Sequence, residues 1–296
     1  TRSDENYPKI LRKKLSSLSP PIIYGVGDPN LYSGRKVAIV GSRKIGEDAE
    51  YFTKKMGMLC AETGITVVSG GAKGVDSIAM QSSLNEGGGA IGILADGLLK
   101  QSLRSENRDA IVDQRLLLLS PYNPEARFNV GNAMNRNKYI YGLSNVAIIV
   151  NAEHKKGGTW SGAVEELKRS NGIVVLVRKN ENVPVGNDEL IKLGAKPLSL
   201  PINKELFLSI TNSQKISKQE RAMQVSLFEQ GRNSQGSKVE TPIDPLLMAV
   251  IPIMQKHLQE WKTPEILLNE LNIQKGQLVK WLNAAVEVGF LEKRIK

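Results

Sequence analysis

The chain has 296 residues, of which 41% are hydrophobic, and its 40 Lys and Arg against 30 Asp and Glu give a formal net charge of +10. This length supports one large α/β domain and a small second domain. A basic protein attracts polyanions over long range and through the release of counterions, although many basic proteins bind no nucleic acid.

The content of cysteine and histidine limits the chemistry. Cys60 is the only cysteine, so the chain can form neither an internal disulfide nor a multi-thiolate metal site. Apolar residues around it recur at helical spacing, which predicts a buried side chain rather than a nucleophile. His154 and His257 are far apart, which disfavours metal clusters and histidine-based triads. We therefore expect no metal and no cofactor.

The apolar runs are strand-sized, short of the roughly 20 residues that a membrane-spanning helix needs, and no basic-then-apolar signal opens the chain. We expect a cytoplasmic protein with no membrane partner. Six strands are predicted, in KVAIVGS (36–42), ITVVSGG (65–71), AIGILADG (90–97), RLLLLSPY (115–122), NVAIIVNA (145–152) and GIVVLVRK (172–179). Helices are predicted between them, the first two over residues 46–63 and 74–88.

Continuous Val, Ile and Leu runs separated by helices are typical of a parallel sheet that is covered on both faces. We predict an extended Rossmann-like, doubly wound, mainly parallel α/β domain over residues 35–212, preceded by an N-terminal extension over residues 1–34 that packs on the core. Ligands of such a domain bind beyond the carboxyl ends of the strands.

The remainder of the chain is predicted as a polar linker over residues 213–244 and a small winged-helix-like domain over residues 245–296. The linker is rich in Ser, Gln, Asn and Gly. Beyond it, apolar residues recur at helical spacing, Thr263 and Pro264 mark the start of a helix, and another helix ends near Gly289. Such modules bind DNA or serve only as protein contacts.

Two glycine-containing loops follow the first two predicted strands. The first comprises Gly41, Ser42, Arg43 and Lys44, which supply a backbone turn, a hydroxyl and two cations. The second comprises Ser69, Gly70, Gly71, Ala72, Lys73 and Gly74, whose glycines permit the close approach of an anion. A helix that begins after such a loop leaves backbone N–H groups unpaired, and these suit a phosphate. Asp76 falls in the first turn of that helix, where we expect it to cap the helix and brace the loop.

A third loop and a basic segment lie later in the domain. The loop comprises Gly157, Gly158, Thr159 and Ser161, where a helix is predicted to begin, although ordinary turn chemistry would use the same residues. The basic segment comprises Asn135, Arg136, Asn137 and Lys138, next to Tyr139 and Tyr141. Basic and amide groups near aromatic rings suit a sugar-phosphate backbone with stacked bases, while helix solvation and core tyrosines would explain the same residues.

The second loop matches neither of two common nucleotide motifs. Strict G-x-G-x-x-G is absent, no acidic residue follows at the distance that a ribose contact needs, and the P-loop sequence G-K-[ST] is absent. Dinucleotide redox chemistry and P-loop hydrolysis are therefore disfavoured.

The order of the motifs resembles the DNA-processing protein A family, called DprA or Smf. YPKIL, VAIVGSRK, VVSGGAKGVDSIAM, MNRNKYIYGLSNVAIIV and GGTWSGA follow one another across residues 7–177 in the order of that family. The resemblance implies an extended Rossmann fold, a homodimer, binding of single-stranded DNA and help in loading a RecA-type recombinase. Many members add a C-terminal winged-helix-like domain.

Three features depart from the family pattern. Met80 stands where members usually have a histidine, Lys138 replaces an arginine, and FNVGNAM replaces the usual phenylalanine-proline. Lysine keeps the charge of arginine but lacks its bidentate fork. These departures bear on the geometry of DNA binding and more strongly on recombinase loading.

The leading hypothesis is a non-enzymatic single-stranded DNA-binding protein that acts in DNA processing and recombination, as a mediator that loads a RecA-type recombinase or recruits another partner. Arg43, Lys73, Arg136 and Lys138 would neutralise phosphates, and the glycine loops would donate N–H bonds. The partner and the biological setting, whether transformation, repair or defence against foreign DNA, stay open.

An enzyme is the alternative hypothesis, similar to the nucleotide phosphoribohydrolases of the Lonely Guy family. Their PGGxGTxxE turn places a glutamate three residues after the threonine, where this chain has Gly162. Glu165 and Glu166 come later and would point elsewhere on a helix of about 3.6 residues per turn. A nucleotide-sensing or scaffold protein is the third possibility.

Overall fold

The computed structural model describes residues 1–169 and 172–212, which form an eight-stranded sheet between two layers of helices. The strands are β1 (Tyr24–Gly27), β2 (Lys36–Val40), β3 (Thr66–Ser69), β4 (Ala90–Ile93), β5 (Leu116–Ser120), β6 (Val146–Ile149), β7 (Val174–Arg178) and β8 (Lys196–Leu198). The helices are α1 (Lys9–Leu15), α2 (Glu47–Glu62), α3 (Val75–Asn85), α4 (Leu98–Ser102), α5 (Ser105–Val112), α6 (Val130–Leu143), α7 (Gly157–Lys168), α8 (Val185–Lys192) and α9 (Lys204–Thr211).

The sheet has the strand order β1-β5-β4-β3-β2-β6-β7-β8 and is parallel except for β1, which runs antiparallel to β5. From β2 the chain moves outward through β3, β4 and β5, and it then returns to the other side of β2 for β6, β7 and β8. The direction of winding reverses between β2 and β6, which makes their carboxyl ends a topological switch point. Val40 pairs with Ile149 there, so the loops after the two strands are neighbours.

Strand residues are buried on both faces of the sheet because helices cover each face. From β2, Ile39 packs in the cluster with Phe52 and Met56 of α2, while Ala38 packs on the opposite face with Ile140 of α6. Fully burying a large aliphatic or aromatic side chain contributes about 1.5–3 kcal/mol relative to leaving it exposed. Successive apolar residues of a strand point to opposite faces of the sheet, so the strands contribute to one hydrophobic core on each face.

The predicted Rossmann-like fold is confirmed, and the six predicted strands correspond to β2 through β7. Strands β1 and β8 were not predicted, because their segments YGVG and KPL are short and contain glycine or proline. Within residues 1–34, β1 joins the sheet edge and α1 places Leu11 and Leu15 in the core cluster that also contains residues of α6. The predicted linker at 213–244 and winged-helix-like domain at 245–296 lie outside the described residues.

Cys60 is buried, as predicted, and burial raises the pKa of its thiol. Among the described residues, no helix combines the length and the apolar character that crossing a bilayer requires.

Candidate nucleic-acid interface

Two adjoining cavities open at the carboxyl edge of the sheet, and both are of the size of typical ligand sites. The first, here called the loop cavity, has a volume of about 540 Å³ and is lined by the second glycine loop together with Leu94, Arg104 and Phe128. The second, here called the switch-point cavity, has a volume of about 520 Å³ and lies where the loops after β2 and β6 meet the start of α6. Arg43, Ala72 and Arg136 line both cavities. The three predicted loops therefore meet at one edge.

The backbone of the first loop is held by its neighbours. A side chain at Gly41 would come within 2.6 Å of the Val75 side chain, so this strand end can approach α3 only as glycine. The Ser42 hydroxyl donates a hydrogen bond to the carbonyl of Asn151 at 3.3 Å, and the carbonyl of Ser42 accepts one from the Val75 N–H at 3.3 Å. These contacts join the loop after β2 to the loop after β6 and to α3.

The two cations of the first loop are exposed, and one of them lies over an aromatic ring. The Arg43 guanidinium carbon lies 5.3 Å from the centroid of the Phe128 ring, within the range of a cation–π contact. Phe128 is 50% exposed and lines the loop cavity. Lys44 is exposed and lines the switch-point cavity. Arg43 of the first loop and Phe128 thus present positive charge and a stacking surface side by side.

The carboxylate of Asp76 lies at the inner side of the second loop. Its Oδ2 accepts a hydrogen bond from the Gly70 N–H at 3.2 Å. Burial raises the pKa of the Asp76 carboxyl, while Arg136 and backbone hydrogen bonds from Ala72, Gly70 and Gly41 oppose that rise. The expectation that Asp76 braces the loop is confirmed, whereas its expected role as a cap is not, because Gly74 is the N-cap of α3 and no side chain of the described residues caps that helix. The backbone N–H groups on the inner side of the loop therefore already have the Asp76 carboxylate as their acceptor and are not free to bind a phosphate.

The first turn of α3 is satisfied internally as well. The Val75 N–H donates to the carbonyl of Ser42, and the Ser77 N–H donates to the carbonyl of Ala72 at 3.0 Å. The loop cavity is lined by Gly70, whose N–H already has Asp76 as its acceptor, and by the outer part of the loop, with Gly71 at a φ of +63°, Ala72 and Lys73. Phosphate contacts of this loop would therefore be made from its outer side and from the Lys73 ammonium.

Arg136 is buried beneath the same loop and braces it. Its Nη1 donates to the carbonyls of Gly70 and Ile93, and its Nη2 lies 3.7 Å from Asp76 Oδ2. A side chain at Gly70 would overlap the guanidinium, so this position requires glycine. Burial lowers the pKa of Arg136, which Asp76 opposes, and an arginine keeps its proton. The side chain that the sequence assigned to phosphate is thus committed to the loop, and its contact with a phosphate stays a prediction.

The rest of the basic segment divides between the interface and the helix surface. Asn137 lines the switch-point cavity, where its Nδ2 donates to the Gly158 carbonyl at 3.0 Å and fixes the first turn of α7. The Lys138 ammonium lies 5.2 Å from the centroid of the Tyr139 ring and lines neither cavity. Asn135 is exposed on α6, also outside both cavities.

The third loop opens α7 at the switch-point cavity. Gly157 has a φ of +75°, in the left-handed region that favours glycine, and Gly157, Gly158 and Thr159 line the cavity. No side chain among the described residues caps the first N–H groups of α7. The Ser161 hydroxyl donates to the carbonyls of Gly157 and Gly158 at 3.2 and 3.3 Å. Ser161 does not line the cavity, and its contact with a phosphate stays a prediction.

Two further predicted residues lie outside the cavities. Ser69 is buried, and its hydroxyl donates to the carbonyl of Ile39 at 2.6 Å. Gly74 is the N-cap of α3 with a φ of +91°, and a side chain there would come within 2.6 Å of the Ser42 carbonyl oxygen. Both residues shape the second loop from inside.

Three side chains at the cavities were missed by the sequence reasoning. Arg104 is exposed just before α5 and lines the loop cavity with Lys73, where Asp96 and Glu106 supply opposing charge. Lys156 lines the switch-point cavity and lies 3.3 Å from Glu153. Phe128 belongs to FNVGNAM, the segment that departs from the family pattern. Its aromatic side chain in a polar stretch could have indicated a residue that contacts a ligand.

The later glutamates of α7 do not supply the carboxylate that a hydrolase turn needs. Glu165 lies 2.8 Å from Arg169, and Glu166 accepts a hydrogen bond from the Ile173 N–H at 2.8 Å. Within the described residues, the carboxylates that line the switch-point cavity belong to Asp76 and Glu153. No group of three or more His, Cys, Asp or Glu side chains in this part of the chain could hold a metal ion.

Comparison with known proteins covers the part of the chain that carries these loops. Residues 1–206 match the model of the family described as DNA recombination-mediator protein A. Protein Smf of Synechocystis sp. is 29% identical over 219 residues, which are 67% of this chain and 54% of that protein. DNA processing protein DprA of Bacillus subtilis is 30% identical over 160 residues, 52% of each protein. The chain spans about half the length of the curated relatives it matches.

Solved structures with the same fold carry related names. DNA processing protein A of Streptococcus pneumoniae superposes with a TM-score of 0.60 at 25% identity, over 70% of this chain and 71% of that one. DNA processing protein A of Helicobacter pylori, whose structure describes its single-stranded DNA binding mode, gives a TM-score of 0.58 at 29% identity, over 70% of this chain and 93% of that one. With the family model matched over residues 1–206, the chain belongs to the DNA recombination-mediator protein A family.

Proposed function

We propose that this chain binds single-stranded DNA along the loop and switch-point cavities and that it does so without catalysing a reaction. The observation that carries the proposal is the gathering of Arg43, Lys44, Lys73, Arg104 and Lys156 around two adjoining cavities at one edge of the sheet. The single-stranded DNA binding of the Helicobacter pylori protein, which shares the fold, supports the same ligand class.

The chemistry of the interface suits a run of nucleotides better than one small cofactor. Cations on several loops can neutralise successive phosphates, and the exposed ring of Phe128 offers a stacking face that tolerates any base. The Arg43 guanidinium over that ring joins charge to stacking surface. Two open cavities in series let a strand enter and leave, which an enclosed cofactor pocket would not.

We further propose that the protein acts in DNA processing and recombination, as a mediator that loads a RecA-type recombinase or recruits another DNA-processing partner, and that it works as a homodimer in the cytoplasm. Membership of the recombination-mediator family supports the mediator role. In this proposal the predicted winged-helix-like domain at 245–296, joined by the predicted linker at 213–244, contacts a partner protein or duplex DNA.

Fluorescence anisotropy with a labelled oligothymidylate of about 20 nucleotides tests the central claim. The logarithm of the affinity should fall linearly with the logarithm of the salt concentration, with a slope of about −0.7 for each phosphate contacted. A matched duplex should bind more weakly. Absence of binding, or binding that ignores salt, would contradict the proposal.

Recombinase loading needs its own measurement. RecA-type filament growth on single-stranded DNA that is precoated with a single-strand-binding protein should start sooner when this protein is present, and native mass spectrometry of the same mixture should show a dimer. Unchanged filament kinetics at saturating protein would remove the mediator role and leave DNA binding intact.

A further inference from the structure

The turn at the start of α7 differs from the turn at the start of α3 in having uncommitted donors. In the second loop the carboxylate of Asp76 already accepts the Gly70 N–H, and the first turn of α3 donates to Ser42 and Ala72 carbonyls. At α7, by contrast, no side chain of the described residues caps the opening N–H groups. A helix terminus of this kind carries partial positive charge and free donors.

Hydrogen bonds to the carbonyl groups of the turn hold its backbone in place. Asn137 Nδ2 donates to the carbonyl of Gly158, and the Ser161 hydroxyl donates to the carbonyls of Gly157 and Gly158. Donors that are fixed in advance lose little conformational freedom when an anion binds. The same Gly157, Gly158 and Thr159 line the switch-point cavity.

An independent observation on the same cavity is a buried donor without a partner. Arg136 lines the switch-point cavity as well as the loop cavity and is 5% exposed, and within the described residues its Nε has no hydrogen-bond partner. Buried polar groups in folded proteins nearly always find a partner, and an exception calls for a ligand or an ordered solvent molecule. The orphaned Nε is therefore a second sign of an acceptor beside Arg136, on the wall that the two cavities share.

The charge and shape of the cavity indicate which acceptor. The cations Arg43, Lys44 and Lys156 line the cavity. Its two carboxylates already have cationic partners, because Glu153 pairs with Lys156 and Asp76 pairs with Arg136. Val130, Ala133 and Met134 form an apolar wall from α6, which suits a sugar or a base edge. A phosphate monoester carries nearly two negative charges and three acceptor oxygens, whereas an internal diester carries one charge and two such oxygens.

We propose that the switch-point cavity binds the phosphate monoester of a single nucleotide, as found at a phosphorylated end of a DNA strand or on a free nucleoside monophosphate. Resting on the proposed function, this inference makes the cavity an end-binding subsite, separable from the loop cavity that receives the interior of the strand. It gives the strand a fixed end and hence a defined register on the protein.

The experiment compares oligothymidylates that differ only at their ends. Full-length protein is titrated with the same oligonucleotide bearing hydroxyls at both ends, a 5′ phosphate or a 3′ phosphate, and dTMP and inorganic phosphate are used as competitors. One end phosphate should tighten binding about fivefold to tenfold, the size expected for an anion at a partly buried helix N-terminus. Competition by dTMP but not by phosphate would assign the sugar and base to the apolar wall.

Thr159→Asp and Thr159→Asn form the matched pair of variants. Aspartate in the first turn of a helix favours folding, so the variant should fold, but its carboxylate occupies the place of the anion. Thr159→Asp should remove the gain from the end phosphate while Thr159→Asn keeps most of it. Equal affinity of all three oligonucleotides for the unaltered protein, or a gain that survives Thr159→Asp, would overturn the inference. Binding of dTMP without binding of any oligonucleotide would support the subsite and overturn the proposed function instead.

Discussion

Nη2 of Arg136 lies 3.7 Å from Oδ2 of Asp76, and the two side chains are only 6% and 9% exposed. The pair joins α6 to α3 beneath the second glycine loop, and Arg136 also binds the carbonyls at the ends of β3 and β4. A buried ion pair of this kind positions the loop more than it stabilises the fold, because the loss of solvation offsets much of the attraction.

Arg136→Met should lower the free energy of unfolding by about 3–5 kcal/mol, because it leaves the Asp76 carboxylate buried without its cation. Asp76→Asn should be costly for the converse reason. In the double variant no charge is left unpaired and the introduced amide oxygen can still accept the Gly70 N–H, so its cost should be well below the sum of the single costs. Urea unfolding of the four proteins measures this coupling, and additive costs would show that the two side chains act independently.

Sequence reasoning could place the loops but not the bonds among them. Carboxyl ends of parallel strands meet at one edge, so Gly41, Ala72 and Gly158 were expected together, and they line adjoining cavities. The burial of Arg136 depends on the distance between α6 and the loop after β3, which no spacing in the sequence encodes. A basic residue in a polar helix therefore looked like a phosphate ligand.

Some missed residues had no pattern to reveal them. Arg104 lies between two short helices in a stretch without strong periodicity, and it reaches the loop cavity only because α4 and α5 fold beside β5. The edge strands β1 and β8 are similar cases, since three or four residues with glycine or proline form a strand only when a neighbouring strand offers its edge.

Lys14 should make stability depend on pH in the alkaline range. Burial lowers the pKa of its ammonium group to about 8, against an ordinary value of 10.5. Between these values the unfolded chain holds more protons than the folded one, so the free energy of unfolding should rise as the pH increases from about 8 to 10.5. The rise should be on the order of 2 kcal/mol, given the partial exposure of the amine. Lys14→Met should lack it in denaturant titrations across that range, and identical profiles for both proteins would refute the assignment.

Lys73 and Arg104 should each contribute one phosphate contact from the loop cavity. Lys73→Gln or Arg104→Gln should weaken binding to all single-stranded sequences alike and make the salt slope shallower by about 0.7. Lys138→Gln is the matched control, because Lys138 lies over Tyr139 and outside both cavities. Anisotropy titrations at about 50 and 200 mM salt distinguish the cases. An equal change of slope for Lys138→Gln would restore the role that the sequence assigned to it and enlarge the interface along α6.

Phe128 should stack on a base. Its ring is 50% exposed at the loop cavity, so Phe128→Ala should scarcely change thermal stability while weakening single-stranded DNA binding by about 1–3 kcal/mol. Phe128→Trp keeps a stacking face and should retain affinity. Because the ring carries no charge, the salt slope should stay the same in both variants, which separates stacking from the lysine and arginine contacts. Loss of affinity in Phe128→Ala accompanied by a shallower slope would mean that the ring acts by holding the Arg43 guanidinium 5.3 Å above it and not by meeting a base.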